Sequence, residues 1–180
     1  MTGERATAPL IGGVELLERA IGYTLGNLPL VTRVAMSRPT PCRDWDLRAL
    51  LKHIDDSEAA GDWTVDADPV AGLRDRAHRL LDAWTRADGH KVISIAGCPL
   101  PVSILTSTGA LEVAVHGWDV ARACRQHRPI PPLLARDLLE LAPLLVTGVD
   151  RPARFAAPVQ VSPLASPSEQ LIAHLGRDPS

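Results

Sequence analysis

The sequence predicts an all-α fold: a bundle of four main helices, with a short hairpin or loop insertion and an extended C-terminal tail. Three observations predict it. Apolar residues recur at steps of three and four along four long stretches. Prolines, glycines and small polar residues punctuate short connections between them. The alternating stretch from Lys91 to Ala96 is weak and short. Amphipathic helices joined this way bury their stripes against one another.

The first helix is expected from Leu10 to Val34, with Leu10, Val14, Leu17, Ile21, Leu25 and Leu28 as its stripe. Gly12, Gly13 and Gly26 weaken it, and Pro29 kinks or breaks its last part. Arg38 to Asp44 is a proline-bearing connector. Asp44 or Asp46 then caps a second helix, Leu47 to Ala60, whose stripe is Leu47, Leu50, Leu51 and Ile54. His53 lies beside Leu50 on its flank. Gly61 to Asp68 reads as a polar loop. Pro69 opens a third helix, Val70 to Ala87, with Leu73, Ala77, Leu80, Leu81 and Trp84 on one face. Asp88-Gly89 ends it, and Cys98 to Val102 follows as a loop or short hairpin. The long apolar run Ile104 to Ala123 is a helix capped by Ser103 and ending near Cys124. Pro131-Pro132 starts another, to about Val149, carrying Leu134, Leu138, Leu141 and Leu145, with Pro143 bending it. Arg151 to Pro167 is extended, and Ser168 to Leu175 forms a short last helix.

Composition sets the function classes. A chain of 180 residues, 46% apolar and 22% charged, reads as one ordinary globular domain over residues 1–180. Its net charge of −2, with acids and bases interspersed, gives no basic surface for nucleic acid or an anionic membrane. No apolar run suits a bilayer span, and the N-terminus lacks a signal-peptide core. Cys42, Cys98 and Cys124 are odd in number and far apart, which suggests reduced thiols in a cytoplasm. All three read as small buried hydrophobes rather than nucleophiles. His78, His90, His127 and His174 read as surface residues, and Trp45, Trp63 and Trp118 as packing.

Chemistry concentrates on the long fourth stretch. Glu112 and His116 are four apart, so on a helix their Cβ atoms sit about 5–6 Å from each other. Polar groups on an apolar helix need a partner. These two can pair with each other without metal, or both bind an ion. His53 on the second helix is the natural third ligand, because bundles build metal sites from facing helices. Two imidazoles and a carboxylate leave a coordination position open, as in catalytic zinc sites. Read alone, a histidine such as His53 is more often a partly buried, hydrogen-bonded side chain; the Glu112/His116 pattern beside it is what favours the ligand reading. Asp119, one turn past His116, is either an acceptor for it or a surface acid.

The segment Pro39-Thr40-Pro41-Cys42-Arg43-Asp44-Trp45-Asp46-Leu47-Arg48-Ala49-Leu50-Leu51-Lys52-His53 resembles the N-terminal motif of the mycothiol-dependent maleylpyruvate isomerase family. That family belongs to the DinB-like metal-binding superfamily. Glu112-x-x-x-His116-Gly117-Trp118-Asp119-Val120-Ala121-Arg122-Ala123 is similar to its second motif, and the stretch Phe155 to Arg177 to the end of a short single-domain branch. The resemblance covers nearly the whole chain. It implies a DinB-type bundle holding a divalent metal on His53, Glu112 and His116, zinc first, with nickel, manganese or iron as alternatives. It also implies a thiol cosubstrate, mycothiol in an actinobacterium. The isomerase has a further C-terminal domain that contributes to its active site, which this sequence does not include. Asp55, Asp56 and Glu58 also stand where the family often has small residues.

The resulting expectation is a metal- and thiol-dependent transferase or isomerase acting on a small electrophilic molecule. The alternatives are a non-catalytic metal- or small-molecule-binding bundle and a metal-free structural relic. The expected partners are small molecules, not nucleic acid or membrane, and a homodimer is left open.

Overall fold

The computed structural model describes residues 13–42, 44–55, 69–85, 92–95, 98–151 and 154–180. The fold is an all-α bundle. In chain order its elements are α1 (Gly13–Asn27), α2 (Leu47–Asp55), α3 (Pro69–Thr85), a hairpin of β1 (Val92–Ile95) and β2 (Cys98–Pro101), α4 (Val102–Ala123), α5 (Pro132–Leu145) and α6 (Pro167–His174). The hairpin is antiparallel, pairing Val92 with Pro101 and Ile95 with Cys98. Among the described residues, no helix is long and apolar enough to cross a membrane.

The central helix α4 is buried on most sides, from Val102 through Ala114 and Trp118 to Ala123. The pairing α1–α4 is the most extensive in the fold. The two helices run parallel: Gly13 lies against Ser103 and Thr106, Leu17 against Gly109, and Thr24 against Gly117. Small residues permit this approach. A Cβ on Gly117 would lie 2.3 Å from Thr24 Oγ1 and 3.1 Å from its Cα. Two hydrogen bonds fix the register: Thr24 Oγ1 donates to Val113 O at 2.8 Å, and Asn27 Nδ2 to Gly117 O at 3.0 Å.

Two apolar clusters flank α4. One joins α1, α4, α5 and α6 through residues such as Leu16, Leu111, Leu138 and Ile172. The other joins α2 and α3 to the C-terminal end of α4 through Leu47, Leu50, Leu51, Leu73 and Val120. Leu47, Leu50 and Leu51 are fully buried, as their stripe predicts, and Ile54 packs at the edge.

Several boundaries depart from expectation. The first helix ends at Asn27 rather than Val34. Pro29 has no N–H to continue the ladder, and the chain tightens into 3-10 turns at Leu28–Leu30 and Arg33–Ala35. Ser103 does not cap α4: the helix begins at Val102, two residues before the expected Ile104, behind Pro101, and no side chain among the described residues caps it. The fifth helix stops at Leu145 instead of Val149, just past Pro143, whose ring nitrogen cannot bond back. Asp46, not Asp44, caps α2, its Oδ1 accepting from Ala49 N at 2.8 Å. Residues 10–12, 56–68 and 86–91, which include Trp63, His90, the polar loop and the end of the predicted second helix, lie outside the described residues, as do the side chains of Leu80, Trp84 and Cys98.

Candidate metal-binding pocket

The connector between α1 and α2 is a locked turn. Thr40 N donates to Trp45 O at 3.0 Å, Thr40 Oγ1 reaches both Cys42 O and Trp45 O, and Pro39 bridges Asp46. Asp44 sits in the left-handed region at φ 62°, which a short polar side chain tolerates. The turn presents Cys42 and Trp45 to a pocket and starts α2 in the phase that brings His53 to the same place.

That pocket, about 520 Å³, is walled by α2, α4, the 154–155 loop and the C-terminal tail, and is lined by His53, Glu112, His116, Arg154 and Arg177 among others. All three predicted ligands therefore line one pocket. The rings of His53 and His116 lie 5.2 Å apart, edge to face. Trp45 packs on His53 at 4.6 Å between centroids and lies 6.4 Å from His116. Glu112 is on the same wall, but its carboxylate accepts a hydrogen bond from Arg154 Nη2.

Two imidazoles on one tetrahedral zinc, each bound at about 2.0–2.1 Å, have ring centroids roughly 5 Å apart. The His53–His116 spacing fits that requirement, and the nitrogen–oxygen donor set suits a divalent transition metal. Arg154 occupies one side of the Glu112 carboxylate, so an ion there would share that group with an outer guanidinium.

A second group lies deeper. Ligand-capable atoms of Cys42, His116 and Asp119 fall within 4.8 Å of one another. Asp119 is fully buried and already committed. Arg177 Nε and Nη2 donate to its two oxygens at 2.8 Å each, and His116 Nδ1 lies 3.2 Å from Oδ2. An ion seated on that carboxylate would face a buried guanidinium. Burial pushes the Cys42 thiol up from its ordinary value; Arg177 opposes the rise and Asp119 adds to it.

The surface-acid alternative for Asp119 thus fails. Spacing along α4 places it one turn from His116, but no local pattern announces a partner 58 residues away in sequence. Arg177 and Arg154 carry no local signal for the same reason. Cys42 is half-buried in the pocket wall rather than a core hydrophobe, whereas Cys124 is buried as expected. Trp45 lines the pocket; Trp118 packs in the core with Arg122 over its ring at 5.5 Å. His78 and His127 are exposed as expected. His174 is partly buried rather than on the surface: among the described residues its Nε2 is buried without a hydrogen-bond partner, and burial, aided by Arg151, depresses its pKa.

The fold and the pocket together define a class: an all-α bundle with a pocket lined by two imidazoles and a carboxylate, in front of a buried arginine–aspartate pair; the ligand atoms that converge within 4.8 Å among the described residues are those of Cys42, His116 and Asp119 rather than of His53, Glu112 and His116. Over 156 residues the chain is 30% identical to uncharacterized protein MT0763 and to uncharacterized protein Rv0738, from two strains of Mycobacterium tuberculosis, covering 77% of this chain and 83% of each relative. The chain belongs to the family of these mycobacterial proteins. No family model matches it, and no solved structure matches it.

Proposed function

We propose that this protein is a metal-dependent, thiol-dependent transferase or isomerase acting on a small electrophilic molecule in the cytoplasm, with mycothiol as the thiol. The observation that carries the reading is the 5.2 Å approach of His53 and His116 from facing helices, beside Glu112, in a pocket with room for a small molecule. His53, Glu112 and His116 would hold a divalent ion, zinc first. Such an ion supplies one thing: it lowers the pKa of a bound thiol, so that a nucleophile exists at neutral pH.

The chain's own residues do the rest. Two neutral imidazoles and one carboxylate leave a divalent ion with a formal charge of about +1, which favours an anionic sulfur. Trp45 and Phe155 give the pocket an apolar wall beside the imidazoles. The Arg154–Glu112 ion pair supports a second reading, a non-catalytic metal- or small-molecule-binding bundle, because it engages one ligand with a protein cation.

The rate of thiol conjugation to generic electrophiles, measured against pH with and without metal, separates the two. Catalysis gives a metal-dependent rise on the acid side, at a pH below the free thiol's pKa, and the rise vanishes on chelation. Replacing Glu112 by His should hold the ion at higher formal charge and move that rise lower still. A rate that tracks free thiolate in solution, regardless of metal, would establish the binding-module reading instead.

A further inference from the structure

The least expected feature of the pocket is the pair behind it. Asp119 is completely buried and Arg177 only 7% exposed. The guanidinium meets the carboxylate with two parallel N–H donors, the geometry that distinguishes Arg from Lys. Arg177 is delivered there by the end of α6. Gly176 N donates to Ala173 O at 3.0 Å and Arg177 N to Ile172 O at 3.1 Å, a Schellman ending with Gly176 at φ 78°. This reversal turns the chain back onto α4.

We infer that Arg177 is a positioning residue for the pocket: acting through Asp119, it fixes His116 with its proton on Nδ1 and leaves Nε2 as the nitrogen with a lone pair. An ionised carboxylate only accepts hydrogen bonds, so the 3.2 Å contact with Oδ2 requires His116 Nδ1 to donate. Both oxygens of Asp119 are held by Arg177, so the acceptor cannot swing away and the imidazole plane is set. Carboxylates that orient a ligand histidine in this way raise its basicity and fix its tautomer. A lysine at this position would keep the charge and lose the fork. The metal part of this inference rests on the proposed function; the tautomer part does not.

The test uses the full chain. In the metal-free wild type, the imidazole nitrogen chemical shifts of neutral His116 should report the Nδ1–H form as dominant. In Arg177→Gln the two tautomers should approach equal populations, with Arg177→Lys between. Zinc affinity, measured by competition with a chromophoric chelator, should fall about 10- to 100-fold in Arg177→Gln and less in Arg177→Lys. A dominant Nε2–H tautomer in the wild type would overturn the inference, and this needs no variant to fold. So would an Arg177→Lys protein with native near-ultraviolet dichroism whose tautomer and zinc affinity match the wild type. If the wild type binds no zinc but shows the Nδ1–H form lost in the variants, the metal reading fails and the positioning role stands.

Discussion

Gly117 and Asp119 lie two residues apart on α4 and answer to different neighbours. Gly117 exists to let Thr24 of α1 approach, so Gly117→Ala should cost about 1–3 kcal/mol through forced separation of the helices. Urea denaturation measures this, with the slope unchanged. Asp119 exists for Arg177. The sequence places both on a helix but does not tell which face each one uses, because the deciding partners come from elsewhere in the chain. His174 reads as exposed for a related reason: nothing near it in the sequence announces that Arg151, 23 residues away, comes to lie against it. Its folded pKa lies below the unfolded value of 6.5, so the unfolded chain binds more protons in that window. Stability should therefore fall as pH drops through 6.5 toward the depressed folded value, and rise again with pH. His174→Gln should flatten that part of the stability profile in denaturant titrations at a series of pH values.

At the scale of elements, the helices with a clear stripe and a clear cap were the legible ones. The second helix has both, Leu47, Leu50 and Leu51 fully buried and Asp46 at its start, and this phase carries His53 to the pocket. Its leucines should matter to the site as well as to the fold. Leu51→Ala is expected to cost about 2–5 kcal/mol, and to weaken metal binding because the helix bearing His53 loses its anchor. Boundaries set by proline were harder to read, since Pro29 and Pro143 limit a helix without saying where it stops. The last helix is short but carries a capping box between Ser166 and Glu169 and a Schellman ending at Gly176. Gly176→Ala meets a positive φ and the Ala156 carbonyl oxygen at 2.5 Å from the new Cβ. It should lower stability by more than about 1 kcal/mol, and it should lower zinc affinity in parallel, because Arg177 follows directly.

Across the whole molecule, the bundle topology was readable from periodicity, while the contents of the pocket were readable only in part. His53, Glu112 and His116 come from two helices whose stripes fix their facing. Arg154 and Arg177 come from loops, where spacing carries no phase. Among the described residues, the clusters on both sides of α4 are built of apolar side chains and include none of the three proposed ligands. Chelation should therefore leave the far-ultraviolet dichroism unchanged, unlike a zinc finger. Added zinc should stabilise the fold only by mass action, by about 2.7 kcal/mol at a free concentration a hundredfold above Kd, and raise the melting temperature accordingly. An unfolded apo protein would make the site structural and argue against catalysis.

The proposed thiol chemistry needs one divalent ion held by His53, Glu112 and His116 together. Elemental analysis of protein purified without chelator, for the wild type and the three single alanine variants, tests it most directly. The wild-type chain should carry close to one divalent ion, and His53→Ala, Glu112→Ala and His116→Ala should each show sharply reduced occupancy. Full occupancy in His116→Ala would contradict it.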